Sequence, residues 1–90
     1  MMIDSMADAA VRMGLPREQA VKLAAKTVEG SARMVLESDK HVSQLVNDVC
    51  TPGGTTIEGV FALERAGFKG TVMDAVIIST EKSLQKMEKK

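Results

Sequence analysis

The stretch "PREQAVKLAAKTVEGSARMVLES", residues 16–38, decides the fold class of this protein. Its apolar and small residues recur in steps of three and four, which is the period of an α-helix rather than of a β-strand. Pro16 followed by Arg17 and Glu18 is typical of a first helical turn. Gly30 lies inside the segment, where a glycine costs about 1 kcal/mol relative to alanine, so we predict that another backbone approaches the helix closely there. The predicted stripe comprises Ala20, Leu23, Ala24, Thr27, Val28, Ser31, Met34 and Val35.

One shorter helix is predicted on each side of this segment. Upstream, apolar residues at helical spacing run from Met2 to Met13, and Gly14 provides a stop. Downstream, residues 37–40 form a polar turn, after which apolar positions from Val42 to Val49 indicate a third helix.

The C-terminal half begins with a loop, "VCTPGGTTIEG", residues 49–59. We predict that Thr55 is the N-cap of a fourth helix and that Glu58 completes a capping box, with Gly67 ending the helix. The segment "VMDAVIIST", residues 72–80, is rich in β-branched residues and is compatible with a strand. Helical spacing from Val72 to Met87 favours a fifth helix instead. The sequence therefore predicts an all-α protein, a five-helix bundle.

Composition excludes several classes of function. Twelve basic residues balance twelve acidic ones, so no overall positive charge attracts nucleic acid or anionic membrane. A single cysteine, Cys50, cannot form an intramolecular disulfide, and neither a membrane span nor a signal peptide is apparent; we expect a cytoplasmic protein. Only two aromatic residues occur in 90, so the core must be thin and we expect a partner surface.

The glycine-rich loop has the chemistry of an anion site. The N-terminus of a helix offers unpaired N–H groups and the positive end of its dipole, and the preceding Gly53 and Gly54 let a ligand approach the main chain. The Thr56 hydroxyl would be free to face that ligand. On pattern alone, a capped turn without any ligand is the commoner arrangement.

Two stretches resemble a known family. The run "DVCTPGGTTIEGVFALE", residues 48–64, looks like the signature of pyrroline-5-carboxylate reductase, and "ADAAVRMGLPREQAVKLAAKTVEGSARMVLES", residues 7–38, is also similar to it. The enzyme reduces a cyclic imino acid to proline with a nicotinamide cofactor. The resemblance covers nearly the whole chain but only the C-terminal helical half of the family. Val42 departs from it, because the family usually has proline there.

The resemblance implies roles for particular residues. In the family this loop holds the substrate carboxylate with backbone N–H groups, and a threonine hydroxyl lies near the ring nitrogen. Family members also form interleaved homodimers through this half, so the expected partners are a second copy of the chain and a small cyclic imino acid or proline. The implied substrate-binding residues are Thr51, Gly53, Gly54, Thr55 and Thr56, with Thr56 the most important.

The same resemblance predicts that part of the enzyme is missing. Residues 1–90 contain no G-x-G motif, which a dinucleotide-binding domain needs. We therefore expect residues 1–90 to be a helical dimerisation and substrate-loop domain without the nucleotide-binding domain. Such a chain binds no cofactor and is inactive alone, although NADPH or NADH is implied for the full-length enzyme.

No residue is predicted to be catalytic or to bind a metal. His41 is expected to cap a turn or face solvent, and Cys50 to be a packed thiol. Two alternatives stay open: a purely structural homo-oligomerisation module whose loop binds nothing, and an unrelated helical adaptor.

Overall fold

A computed structural model describes residues 1–88, which form five α-helices and contain no strand. The all-α prediction is confirmed, and residues 72–80 are helical rather than extended. The chain divides into two compact units, Met1–Leu45 and Val46–Lys90. The helices are α1 (Met2–Arg12), α2 (Arg17–Glu37), α3 (Val42–Val49), α4 (Thr55–Arg65) and α5 (Phe68–Glu88).

In the first unit, α1 ends in a tight glycine turn. Gly14 has a φ of 113°, a conformation that favours glycine. Its N–H donates to the Val11 carbonyl at 3.0 Å, and the Leu15 N–H donates to the Ala10 carbonyl at 3.0 Å. These two bonds form a Schellman motif, which satisfies carbonyls that the end of a helix leaves free. The predicted stop at Gly14 is confirmed.

The turn leads directly into α2. Pro16 has an extended conformation and is the N-cap of α2. The helix therefore begins at Arg17, and Pro16 precedes the first helical turn in which it was predicted to lie. The Pro16 carbonyl accepts the Ala20 N–H at 2.9 Å. The Arg17 guanidinium is ion-paired with Asp8 of α1 across the turn. Both side chains are exposed, and such pairs contribute about 0 to 1 kcal/mol.

The core of the first unit is small and consists of alanine. Ala7 of α1 and Ala20 and Ala24 of α2 are the buried residues among those described. Small side chains allow the axes of two helices to come close. Partly buried apolar residues surround these alanines: Met6, Ala10, Val11 and Leu15. The expectation of a thin core is confirmed.

Most of the predicted α2 stripe is not buried within the chain. Leu23 is 56% exposed and Met34 is 52% exposed, although Ala20 and Ala24 on the same stripe are buried. Gly30 has no neighbour from elsewhere in the described chain, because a Cβ built there meets nothing within 4 Å. The close approach predicted at Gly30 is therefore not made by the described chain itself.

The second unit contains α4 and α5, which pack on each other without burying any described residue completely. Gly67, with a φ of 78°, ends α4 as predicted. Its carbonyl accepts both the N–H and the hydroxyl of Thr71, each at 3.0 Å. Because Gly67 turns the chain, α5 begins already at Phe68, four residues before Val72, where the predicted helical spacing starts.

Candidate functional site

The candidate site is the loop between α3 and α4, which is built around a turn. The Gly54 N–H donates to the Thr51 carbonyl at 3.0 Å, and the two residues between them are Pro52 and Gly53. Gly53 has a φ of 70°. A proline followed by a residue with positive φ, closed by this hydrogen bond, is the pattern of a type II turn. The sequence pattern Pro-Gly-Gly thus specifies the conformation of the loop locally.

Gly54 is favoured for a different reason, which is steric. A Cβ built on it would overlap the Thr51 Oγ1 and would lie 3.2 Å from the Thr51 carbonyl oxygen. The Thr51 side chain therefore occupies the space that a side chain at Gly54 would need. Gly53 adopts the positive φ that the turn needs, and the missing side chain of Gly54 leaves space for the Thr51 side chain. The two adjacent glycines therefore have separate functions in this loop.

The capping box predicted for α4 is wrong. Gly54, and not Thr55, is the N-cap, and no side chain forms a cap hydrogen bond. With Gly54 as N-cap the third helical residue is Ile57, whose side chain cannot accept a hydrogen bond, and Glu58 is the fourth. The turn bond from the Gly54 N–H fixes this register, which the sequence pattern Thr-x-x-Glu did not reveal.

As a result, the first turn of α4 exposes several polar groups. Thr55 and Thr56 are the first two helical residues and both are exposed. The first N–H groups of any helix lack intrahelical acceptors. Within residues 1–88, neither threonine hydroxyl forms a hydrogen bond. These groups at the positive end of the helix dipole can donate to a small anion.

The predicted site residues therefore lie on one short segment but differ in what they offer. Thr51 and Gly53 are exposed in the turn, and Gly54 is half-buried. The Gly54 N–H is already bonded within the turn, so it is less available to a ligand than the N–H groups of Thr55 and Thr56. That internal bond depends on the path of the chain from 51 to 54, and the loop pattern in the sequence did not reveal it.

The cysteine and the histidine of the chain both have structural contacts. Cys50 is a half-buried free thiol, and its N–H donates to the Asn47 carbonyl at 3.1 Å. The His41 Nδ1 accepts the Ser43 N–H at 3.0 Å, so the prediction of a capping histidine is confirmed.

In the described part of the chain, no group of three or more potential ligands is placed to hold a metal ion. No helix within residues 1–88 combines the length and apolar character needed to cross a membrane.

Comparison with known proteins identifies the family. A family model described as pyrroline-5-carboxylate reductase dimerisation matches residues 1–86. The chain belongs to this family. The pyrroline-5-carboxylate reductase of Escherichia coli is 54% identical over 83 residues, which are 92% of this chain and 31% of that protein. The enzyme of Pisum sativum is 51% identical over 81 residues, which are 90% of this chain and 30% of that protein.

Solved structures agree with the sequence comparison. The pyrroline carboxylate reductase of Plasmodium falciparum, solved with NADP bound, is 46% identical and superimposes with a TM-score of 0.85 over 90% of this chain and 31% of that one. The enzyme of Streptococcus pyogenes is 37% identical, with a TM-score of 0.78 over 81% of this chain and 28% of that one. The chain thus spans about a third of the length of its relatives. The predicted family is confirmed, and the alternative of an unrelated helical adaptor is wrong.

Proposed function

We propose that this chain supplies the dimerisation surface and the substrate loop of a pyrroline-5-carboxylate reductase, which reduces 1-pyrroline-5-carboxylate to proline. The family match supports the proposal, and the observation that carries it is the uncapped start of α4 beside the Thr51–Gly54 turn. The expected ligands are small cyclic imino acids, because their single carboxylate suits one helix N-terminus.

At the proposed site, the backbone and one hydroxyl have separate roles. The N–H groups of Thr55 and Thr56 hold the carboxylate, and the turn made by Thr51, Gly53 and Gly54 keeps that approach open. The Thr56 hydroxyl then orients the ring nitrogen. A helix dipole contributes about 0.3 to 1 kcal/mol toward an exposed anion, and each charge-assisted hydrogen bond about 1.5 to 3 kcal/mol. These magnitudes predict weak binding by the loop alone.

The nicotinamide cofactor of the family does not fit the described residues. A dinucleotide is held by a strand, a glycine-rich turn and a helix, and residues 1–88 contain no strand. NADPH or NADH would therefore have to be bound by a part of the enzyme outside residues 1–88. We accordingly expect residues 1–90 alone to show no turnover of the imino acid with NADPH; measurable turnover would contradict this part of the proposal.

The proposed protein partner is a second copy of this chain. Large apolar side chains are exposed on α2, α4 and α5, and the only complete burial among described residues is that of three alanines. Exposed apolar surface of this extent marks an interaction site. A homodimer would cover it, which agrees with the description of the matching family model. A cytoplasmic location stays a prediction that rests on the sequence.

Titration of the loop tests the proposal. Amide signals of residues 53–57 are followed by NMR while proline, or an unreactive ring acid, is added to millimolar concentration. We expect saturable shifts confined to the loop and the first turn of α4. The absence of shifts would favour the alternative, a structural homo-oligomerisation module without a ligand.

A pair of variants sharpens the experiment. Thr56→Val removes the hydroxyl while keeping the shape of the side chain, so we expect weaker binding with unchanged helix content. Thr27→Val in α2 is the matched control, because Thr27 also lies on a helix and its hydroxyl donates to the Leu23 carbonyl. Equal binding by Thr56→Val and the unchanged chain would refute the role assigned to Thr56.

A further inference from the structure

Glu58 carries an unpaired negative charge in the first turn of α4. It is the fourth residue of the helix, and its side chain is exposed. Because Gly54 and not Thr55 is the N-cap, the Glu58 carboxylate does not bond to the start of the helix. Within residues 1–88 it forms neither a hydrogen bond nor an ion pair. A residue with the pattern of a cap is thus free to interact with a ligand.

The geometry of a helix places this charge beside the proposed ligand-binding groups. Residues three apart on a helix have Cβ atoms about 5–6 Å apart, so Glu58 is the neighbour of Thr55. Helical side chains also lean toward the N-terminus of their helix, which brings the carboxylate toward the N–H groups of Thr55 and Thr56. At such separations the interaction of two unit charges in water changes an affinity by about two- to threefold.

The segment around the loop has no basic side chain that would offset this charge. Residues 41–64 include three acidic residues and no lysine or arginine. Arg65, the nearest basic residue along α4, lies over the Phe61 ring, with 5.5 Å between its guanidinium carbon and the ring centroid. Two helical turns, about 10.5 Å along the axis, separate it from Glu58. A carboxylate bound at the start of α4 therefore meets backbone donors and one opposing negative side chain.

We propose that Glu58 is a specificity-determining residue, which selects zwitterionic ring acids over ring acids whose only charge is the carboxylate. The backbone N–H groups hold the carboxylate of either ligand, and Glu58 repels it. In a zwitterion the cationic ring nitrogen is attracted by Glu58, which offsets that repulsion. A ring acid with a protonated nitrogen, such as proline, meets this condition. The inference rests on the proposed function and adds selection by charge to it.

Two ligands of nearly the same shape test the proposal. Proline and tetrahydrofuran-2-carboxylate share a five-membered ring and a carboxylate, but only proline has a cationic nitrogen at neutral pH. Their dissociation constants are measured from the amide shifts of residues 53–57, for the unchanged chain and for Glu58→Gln, at an ionic strength of about 0.1 M. We expect Glu58→Gln to bind tetrahydrofuran-2-carboxylate more tightly, so that the preference for proline falls by about two- to threefold.

Glu64→Gln is the matched control. Glu64 lies about 13.5 Å along the axis from Thr55, beyond the screening length of about 10 Å at 0.1 M salt, so its substitution should leave the preference unchanged. At about 1 M salt the effect of Glu58→Gln should disappear as well. An equal preference in Glu58→Gln and the unchanged chain would overturn this proposal and leave the proposed function standing. The absence of shifts with both ligands in every variant would refute the proposed function, and this inference with it.

Discussion

The Thr51 Oγ1 lies where a Cβ on Gly54 would have to be placed. The two residues are also joined by the bond from the Gly54 N–H to the Thr51 carbonyl, at 3.0 Å. In the turn that leads into α4, Gly54 therefore both donates a hydrogen bond to Thr51 and leaves space for the Thr51 side chain. Substitutions at the two residues should be strongly coupled.

We predict that Gly54→Ala destabilises the chain by about 1 kcal/mol, the low end of the cost of overpacking, because the exposed Thr51 side chain can rotate away from the new methyl group. Thr51→Ala alone should cost little, because Thr51 is exposed. In the double variant Thr51→Ala, Gly54→Ala the Oγ1 is gone, so part of the loss should be recovered. A double-mutant cycle by urea unfolding measures this coupling, for which contacting residues give about 0.5 to 3 kcal/mol. Simple additivity of the two substitutions would contradict the steric relationship.

Gly30→Ala distinguishes the single chain from an assembly. A Cβ at Gly30 meets nothing within 4 Å in the described chain, so alanine should stabilise α2 by up to about 1 kcal/mol. If the backbone of a second copy approaches there, as the sequence predicts, the same methyl group should weaken association. Unfolding at low protein concentration and sedimentation equilibrium at high concentration measure the two effects. Unimpaired association would mean that no close approach occurs at Gly30.

The exposed face of α5 should carry part of the dimer interface. Val76 is 61% exposed within the chain and lies on the helical stripe that also includes Val72 and Met87. We expect Val76→Lys to shift the sedimentation mass from a dimer toward the 9.7 kDa monomer, because a buried lysine without a partner is costly.

Ile78→Lys is the matched control for that substitution. Ile78 is similarly exposed, at 66%, but two residues along a helix place it about 200° around the axis. It should therefore have the smaller effect on association. A larger effect of Ile78→Lys than of Val76→Lys would place the interface on the other side of α5.

Val42→Pro should stabilise α3. Val42 is the first helical residue, a position that proline favours because its missing N–H would lack an intrahelical acceptor in any case. Replacement at a compatible position stabilises by about 0.4 to 1 kcal/mol, mainly through the unfolded chain. Thermal unfolding followed by circular dichroism measures the gain. Proline at Val46, inside the same helix, is the control and should destabilise by about 3 kcal/mol.

Several helix boundaries were predictable because local chemistry sets them. Gly14 and Gly67 end helices through positive φ, and such a conformation is nearly specific to glycine. Val42–Val49 was predicted with its observed bounds because a polar turn and a glycine-rich loop flank its apolar spacing. The start of α4 was predicted one residue too late, because whether Thr55 caps the helix or begins it depends on the turn bond between Thr51 and Gly54.

The sequence by itself determined the all-α class, the order of five helices, the family and the segment that holds the candidate site. Periodicity and glycine positions act over a few residues, so they can be recognised without knowledge of distant contacts. Only the tertiary structure decided that α1 and α2 meet through Ala7, Ala20 and Ala24 while Leu23 stays exposed. Which part of an apolar stripe is buried depends on where another helix crosses it, and that crossing is fixed by packing between segments far apart in the chain.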